Sequence, residues 1–261
     1  MKKLMKVFAM ALCLSLVVLS LVACGGETAV EPEAGVSESK TELSIGTNAE
    51  FPPFEFVDAE LGVIDEFAGI DMDIMVEIAD SLGAKPVINN MDFDGLLLAL
   101  MNGQVDCVIS GMTITEERKQ EVDFSDPYYV ATQVMIVPEG SEIKTAADME
   151  GKKIAVIDGY TGQTCVEELG FDFSGYRKGT DAILDIVNGK IDVLVIDSAT
   201  AEAFIGDNEG LAIVEDAQAF AAEEYGIAVK KGNPELLDAI NAKIKELKES
   251  GKMDEICAKY N

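Results

Sequence analysis

Two stretches of the chain, DGLLLALMNGQVDCVIS at residues 94–110 and DAILDIVNGKIDVLVID at residues 181–197, follow the same order. Each begins with an apolar run of helical character and continues with Asn-Gly. A Val-Asp or Ile-Asp pair then opens a short apolar run. A helix followed by a buried strand is typical of α/β folds. The repetition therefore predicts an α/β protein with two similar lobes.

Other short β-rich runs continue this alternation of strands and helices. The predicted strands are residues 42–47, 105–111, 152–159 and 190–197. Near the carboxyl terminus, a helix is predicted to have Asn233 as its N-cap and to end at Gly251. Residues 41–261 are numerous enough to form two lobes of ordinary size.

Small and polar residues of mixed charge follow the predicted strands. In open α/β sheets, ligands bind at the carboxyl ends of strands, where loops and helix N-termini meet. Two lobes that face each other would form a cleft at these ends. The residues found there are Asn48, Phe51, Ser110, Gly111, Thr113, Thr161, Gly162 and Asp197. We therefore expect a small-molecule site between the lobes.

Arg118 is one of only two arginines in the chain and lies close to one of these strand ends. On the surface it could pair with Glu116, Glu117 or Glu121, a contact that lysine would satisfy as well. A planar guanidinium differs from lysine because it can bind a carboxylate through two parallel hydrogen bonds. The second interpretation predicts a ligand with a carboxylate.

Thr161 and Asp197 each allow two interpretations. Thr161 begins the sequence TGQT before a helical stretch, so it could help to bind an anion at the helix N-terminus or could be an ordinary N-cap. Asp197 ends an apolar strand and could cap the next helix. If Asp197 instead faces Arg118 across the cleft, Asp197 would bind an ammonium group and Arg118 a carboxylate. A zwitterionic α-amino acid fits that arrangement.

Phe51 and Phe93 could be core residues or could line the cleft. Phe51 follows a strand end and precedes two prolines that stiffen the loop. Phe93 precedes the predicted helix that contains Leu96. If both rings line the cleft, they would hold the side chain of the ligand between them.

The amino-terminal segment resembles a bacterial lipoprotein signal. Residues 1–23 have a basic start and an apolar run, and LVAC at residues 21–24 places small residues before a cysteine. The resemblance implies that Cys24 is lipidated after cleavage and that residues 24–40 form a flexible tether. A retained membrane helix is the alternative, although the uncharged stretch is short for one. We expect an extracytoplasmic protein attached to the bacterial cell membrane by lipid alone.

Composition excludes several classes of function. A formal net charge of −28 at pH 7 makes nucleic acid and anionic lipid surfaces poor partners. The chain has no histidine, so it has no His-based catalytic or zinc site. Cys107, Cys165 and Cys257 have no metal-site spacing. The sequence does not decide whether Cys165 and Cys257 form a disulfide. Cys107 is expected to be a small buried apolar residue. We expect no metal and no cofactor.

Two motifs resemble those of the polar amino acid-binding proteins of ABC importers, the family-3 solute-binding proteins. GIDMDI at residues 69–74 resembles the family signature, and SGMTITEERKQEVDFSDPYY at residues 110–129 resembles its second marker. The resemblance implies a type II periplasmic-binding-protein fold, in which two α/β lobes are joined by two crossover strands and the ligand lies in the cleft. It places residues 41–131 and 226–261 in lobe I and residues 132–225 in lobe II.

The resemblance also implies how the cleft would hold an amino acid. Arg118 would bind the α-carboxylate with help from Thr113 and Thr161. Asp197 would take the α-amino group, together with the backbone at residues 110–111.

The resemblance further implies which residues contact the ligand side chain. Phe51 and Phe93 would flank it, with Asn48 and Ile157 further along it. Many members of the family have Asp at the position of Asn48, so the neutral amide favours a ligand with a neutral polar side chain. A different acid, from Glu55, Asp94 or Asp158, could still serve a cationic side chain.

The implied function is capture of a free amino acid by hinge closure and its delivery to an ABC transporter permease. We expect a monomer without catalytic residues. The alternative enzyme is a cyclohexadienyl-dehydratase-like protein, which would need a general acid in the cleft, and Glu55 is the candidate for it. An amino acid-sensing receptor domain is disfavoured, because the sequence shows no second membrane segment and no signalling module.

Overall fold

The computed structural model describes residues 42–260, apart from the side chain of residue 207. The predicted signal peptide, the lipidation site at Cys24 and the predicted tether at residues 24–40 lie outside the described residues. Within residues 42–260, no helix combines the length and the apolar character needed to cross a membrane.

Residues 42–260 form fourteen strands and eight α-helices. The strands are β1 (Glu42–Thr47), β2 (Glu50–Phe51), β3 (Glu55–Val57), β4 (Phe67–Ala68), β5 (Lys85–Asn90), β6 (Cys107–Val108), β7 (Asp123–Phe124), β8 (Tyr129–Pro138), β9 (Ile154–Ile157), β10 (Phe173–Tyr176), β11 (Val193–Asp197), β12 (Leu211–Val214), β13 (Ala222–Tyr225) and β14 (Ala228–Val229). The helices are α1 (Ile70–Ser81), α2 (Leu96–Met101), α3 (Glu116–Glu121), α4 (Thr161–Glu168), α5 (Gly179–Val187), α6 (Ser198–Asp207), α7 (Pro234–Ser250) and α8 (Lys252–Tyr260).

The two larger sheets repeat one arrangement of strands. In the first sheet, β1 lies between β5 and β6 and is parallel to both, and the antiparallel strand β14 follows β6. In the second sheet, β9 lies between β10 and β11 and is parallel to both, and the antiparallel strand β8 follows β11. A small third sheet contains β2, β3 and β4. The two-lobed α/β architecture predicted from the repeated sequence is confirmed.

The two repeated helix-to-strand turns have the same physical cause. Asn102 is the C-cap of α2 and Asn188 is the C-cap of α5. The glycines that follow have φ angles of 71° at Gly103 and 68° at Gly189. A left-handed backbone favours glycine because glycine has no Cβ. The Asn-Gly pairs therefore end both helices as predicted, although the predicted strand at residues 105–111 is reduced to the two residues of β6.

Two antiparallel segments connect the lobes. The first residues of β8, Tyr129–Thr132, pair with β13, and its later residues pair with β11 and β12 of the second sheet. Along the chain, β7 of the first sheet precedes β8, and β13 precedes β14 of the first sheet. The chain thus passes between the lobes twice, which confirms the two crossover strands. The lobe boundaries after residues 131 and 225 stay a prediction.

The carboxyl-terminal helices pack against the first lobe. Both α7 and α8 contact α1. In α7 the buried residues Ile240, Ile244 and Leu247 recur at helical spacing, so one face of the helix is turned to the core. The Asn233 side chain caps the first turn, and Gly251, with a φ of 77°, ends the helix. These two boundaries confirm the prediction from the sequence.

The cysteines are not bridged in the part of the chain that the structure describes. Cys165 and Cys257 are free thiols, so the disulfide considered between them is not formed. Cys107 is buried in β6, as the apolar run around it predicted.

Candidate functional site

A small cavity lies between the lobes, near the carboxyl ends of β6, β9 and β11. The residues that line it are Phe51, Phe93, Ser110, Gly111, Thr113, Arg118, Tyr160, Thr161 and Asp197. All of these except Tyr160 were predicted from the sequence to contact a ligand. The fold therefore brings eight of the ten predicted residues to one place.

The guanidinium of Arg118 is held at the edge of this cavity by contacts with both lobes. Arg118 lies in α3, where its backbone N–H donates to the N-cap Thr115 at 3.1 Å. Its Nη1 donates to the carbonyl of Thr113 at 2.7 Å, and its Nη2 donates to the carbonyl of Gly159 at 2.9 Å. The guanidinium carbon also lies 5.3 Å from the centre of the Phe93 ring. These contacts fix the orientation of the planar group.

The guanidinium of Arg118 donates to two backbone carbonyls, while Glu116, one of the acids considered as its surface partner, pairs with Lys119 at 2.8 Å. The charge of Glu117, a second acid considered, still acts on Arg118. Burial lowers the pKa of Arg118, while the negative charges of Glu223 and Asp197 act in the opposite direction. The pKa of an arginine is so high that the group stays charged. A guanidinium has five N–H donors, so the two carbonyls leave about three for a ligand.

Asp197 turns its carboxyl group toward the cavity. It occupies the N-cap position of α6, but its side chain makes no capping hydrogen bond. Its Oδ1 accepts a hydrogen bond from the Tyr225 hydroxyl at 2.6 Å. Burial raises the pKa of Asp197 to about 7, and the nearby Glu223 adds to this shift. A cation placed beside Asp197 would favour its ionised form.

Glu223 in β13 binds the hydroxyl groups of two predicted site residues. Its Oε2 accepts from Thr161 Oγ1 at 2.6 Å and from Thr113 Oγ1 at 2.9 Å. The side-chain amide of Gln133 lies 3.4 Å from the same oxygen. Each hydroxyl has a single proton to donate. Thr113 and Thr161 therefore cannot also donate these protons to a ligand carboxylate while the contacts with Glu223 persist.

Thr161 does not cap α4 with its side chain. The N-cap residue of α4 is Tyr160, and Thr161 is the first residue of the helix. The positive end of the helix dipole consequently faces the same cavity as the guanidinium of Arg118. The anion-binding interpretation of Thr161 is therefore kept, with the backbone N–H groups at the start of α4 as the donors.

Three aromatic rings form one wall of the cavity. The ring of Tyr160 meets Phe93 edge to face at 4.5 Å between centroids and meets Phe51 in the same way at 5.2 Å. Phe51 also stacks on Phe54 in the core, so it is both a core residue and a cavity residue. The rings of Phe51 and Phe93 are thus bridged by Tyr160.

The structure does not bring Asn48 and Ile157 into the cavity lining. Asn48 lies behind Tyr160, where its Nδ2 donates to the carbonyl of Met91 at 2.9 Å and its Oδ1 accepts from the Tyr160 hydroxyl at 3.3 Å. Ile157 is buried in the hydrophobic core at the end of β9. A direct ligand contact for these two residues stays a prediction.

Sequence reasoning missed Tyr160 and Glu223 for different reasons. Tyr160 directly precedes Thr161 after a strand end, so the rule that selected Thr161 could also have selected its neighbour. Glu223 lies in an exposed-looking acidic pair far along the chain from Thr113, and no local pattern links the two. Within residues 42–260, no group of acidic or thiol side chains is arranged to hold a metal ion.

The fold and this cavity define a solute-binding protein with two lobes. The profile of the bacterial extracellular solute-binding proteins, family 3, matches residues 43–261. The chain belongs to this family, as its two sequence motifs predicted.

Relatives that are named for different amino acids match nearly the whole chain. The probable histidine-binding protein of Neisseria gonorrhoeae is 36% identical over 249 residues, which are 93% of this chain and 91% of that protein. The ABC transporter glutamine-binding protein GlnH of Bacillus subtilis is 32% identical over 266 residues, 98% of this chain and 97% of GlnH.

A solved structure supports the same conclusion about the fold. The arginine-, lysine-, histidine-binding protein ArtJ from Geobacillus stearothermophilus is 36% identical, with a TM-score of 0.77 over 84% of this chain and 94% of ArtJ. The predicted fold class and the solute-binding role are confirmed.

Replacing Glu223 with alanine removes the acceptor shared by Thr113 and Thr161. We expect the free energy of unfolding to fall by about 1.5–3 kcal/mol, because hydrogen bonds to a charged group contribute about this much. Glu224→Ala is the matched control, since Glu224 is the next residue and is exposed. It should change stability by no more than about 0.5 kcal/mol. Urea unfolding at pH 7 measures both values, and equal effects would contradict the role given to Glu223.

Proposed function

We propose that this protein captures a free α-amino acid between its lobes and delivers it to the permease of an ABC importer. The observation that carries the proposal is the placement of Arg118 and Asp197, whose opposite charges face one cavity from different lobes. An α-amino acid has a carboxylate and an ammonium separated by one carbon, and it matches this pair of groups. The ligand names of the relatives support the same class of solute.

In this proposal, Arg118 binds the α-carboxylate with its remaining N–H donors. The start of α4 at Thr161 adds backbone N–H groups and the positive end of a helix dipole. The α-ammonium binds Asp197 and the backbone carbonyls at residues 110–111. Because Asp197 has a raised pKa, the ligand ammonium also supplies the positive charge that favours its ionised form.

Hinge closure is the working step that we propose for capture. The ligand contacts groups on both lobes, and its differential affinity for the closed form limits how far it can shift the equilibrium. The paired strands β8 and β13 are the segments that would bend, since they connect the lobes. A closed protein with its ligand is the form that we propose the permease receives.

Arg118→Lys tests the carboxylate contact. Lysine keeps the charge but lacks the planar fork, so we expect amino acid affinity to fall tenfold or more, about 1.4 kcal/mol. Arg177→Lys is the matched control, because Arg177 is an exposed arginine that does not line the cavity and lysine can keep its ion pair with Asp92. Calorimetric titration with the bound amino acid would measure both variants. Unchanged affinity in Arg118→Lys would rule out this role.

We propose that the ligand has a neutral polar side chain. Asp197 is the one acidic residue among those that line the cavity, and the proposal assigns it to the α-ammonium. The amide of Asn48 behind Tyr160 is neutral and already hydrogen-bonded. A cationic side chain would be buried without an ionic partner, which is costly. A cation–π contact with one of the rings would offset about 2 kcal/mol of this cost.

Thermal unfolding in the presence of each of the twenty amino acids tests the ligand class. A ligand at about 100 times its dissociation constant stabilises by about 2.7 kcal/mol, which corresponds to a rise in Tm of several degrees. We expect the largest rise with a neutral polar amino acid, with glutamine and asparagine as the first candidates. A rise with arginine or lysine alone would overturn the argument from Asn48.

We propose a binding role without catalysis. The enzyme alternative depended on Glu55 as a general acid in the cleft. Glu55 is fully buried and is not among the residues that line the cavity, so it has no direct access to a bound solute. The position of Glu55 therefore favours the binding role over the dehydratase alternative.

We propose that Cys24 carries the lipid anchor and that the protein is held at the outer face of the cell membrane. The proposal is supported by LVAC at residues 21–24, which precedes the predicted tether. Cys24→Ser should shift the protein from the membrane fraction to the soluble fraction when it is expressed in a bacterial cell. Cys165→Ser, which removes a free thiol of the folded domain, is the control. Membrane association that persists in Cys24→Ser would contradict the anchor.

A further inference from the structure

Two acidic side chains, Glu55 and Asp71, are fully buried behind the cavity, each with a relative exposure of 0%. Glu55 is the first residue of β3 and Asp71 is the second residue of α1. Their carboxyl groups lie close enough for each to affect the pKa of the other. Neither residue lines the cavity, so a direct role in ligand binding does not explain why two acids are buried together.

One oxygen of each carboxyl group holds the segment that forms the cavity floor. Ser110 Oγ donates to Glu55 Oε1 at 2.8 Å and itself accepts from the Asn48 backbone N–H at 3.0 Å. The Gly111 backbone N–H donates to Asp71 Oδ2 at 2.9 Å. Gly111 has a φ of 48°, a left-handed backbone conformation that glycine adopts readily. The two acids therefore determine where Ser110 and Gly111 stand.

Each carboxyl group also has a second oxygen, Glu55 Oε2 and Asp71 Oδ1. Within the described part of the chain, neither of these oxygens accepts a hydrogen bond from an N–H or O–H group. Among residues 42–260, the groups with the largest effects on the pKa of either acid include no cation. The titratable groups that face the pair are Tyr128, Tyr160, Asp197 and Cys257. None of these carries a positive charge. Two buried carboxylates in contact cannot both ionise at low cost without a cation.

We propose that Glu55 and Asp71 share one proton, so that Glu55 is a neutral acid whose Oε2–H donates to Asp71 Oδ1. Asp71 is the anion because its Oδ2 accepts two hydrogen bonds, from Gly111 and from the Tyr128 hydroxyl at 3.0 Å, whereas Ser110 alone donates to Glu55. The pair is a positioning device for the residues 110–111 that contact the ligand. This last statement rests on the proposed function, but the shared proton does not.

The direction of the pKa shifts agrees with this assignment. Burial raises the pKa of Asp71 to about 6 and raises the pKa of Glu55 well above its ordinary value, and the charge of Asp71 adds to the shift of Glu55. A group that is protonated when folded and ionised when unfolded stabilises the protein at low pH. This stability is lost as the pH rises above the unfolded pKa of about 4.3 and toward the folded pKa.

Glu55→Gln tests the shared proton. The amide nitrogen can donate to Asp71 as the proposed O–H does, and the amide oxygen can accept from Ser110. The variant therefore keeps the contacts without the titration. We expect the ratio of the unfolding constants of wild type and Glu55→Gln to rise about tenfold between pH 6 and pH 7, since one proton is released on unfolding. Glu224→Gln, at an exposed glutamate, is the control and should give a constant ratio.

Urea unfolding of the full chain at both pH values measures these ratios. A ratio for Glu55→Gln that does not change with pH would overturn the proposal. Infrared spectroscopy at pH 7 gives a second measurement. The wild type should show the carbonyl band of a protonated carboxylic acid, and this band should be weaker in Glu55→Gln, where Asp197, with a pKa of about 7, still contributes to it. Absence of this band from the wild type would also overturn the proposal.

Affinity for the amino acid separates this inference from the proposed function. Glu55→Ala should weaken binding at least tenfold because Ser110 loses its acceptor, and Glu55→Gln should restore most of the affinity. Equal affinity in Glu55→Ala and wild type would overturn the positioning role. If the wild type binds no amino acid while the pH-dependent ratio and the infrared band are present, the proposed function fails and the shared proton stands.

Discussion

The antiparallel pairing of β8 with β13 is the constraint on which the rest of the structure depends. It joins the two lobes at Tyr129–Thr132 and Ala222–Tyr225. Strand β13 also carries two side chains that bind residues of the site. Glu223 accepts hydrogen bonds from both site threonines, and the Tyr225 hydroxyl donates to Asp197. A change in the angle between the lobes must therefore change the contacts of the site, because both are attached to one pair of strands.

The acidic side chains near this pair of strands are stabilised by hydrogen bonds and, at Asp197, by a raised pKa. Asp197 has a tyrosine hydroxyl as its donor and a raised pKa, and Glu223 has two threonine hydroxyls. Arg118 is the cation among the residues that line the cavity. An entering zwitterion adds one charge of each sign and so leaves the net charge of the site unchanged. This balance is a physical reason for the site to accept an amino acid.

Sequence reasoning succeeded where the signal is local and failed where it depends on distant parts of the chain. Arg118 and Asp197 stand beside strand ends that the sequence identifies, so their meeting in one cavity followed from the general rule for α/β sheets. Glu223 lies 110 residues from Thr113, and their contact depends on the crossover strands. The joint burial of Glu55 and Asp71 likewise depends on how β3 and α1 pack. Neither contact produces a pattern in the sequence.

The sequence by itself determined the repeated helix-to-strand unit, the Asn-Gly helix ends, the family and most of the residues around the cleft. These features depend on periodicity, on the backbone freedom of glycine and on residues close to strand ends, all of which can be read locally. Only the tertiary structure decided that Asn48 stands behind Tyr160 rather than in the cavity and that Asp197 binds Tyr225 instead of capping α6. The physical reason is that a side chain takes its hydrogen-bond partner from whatever the folded chain places beside it.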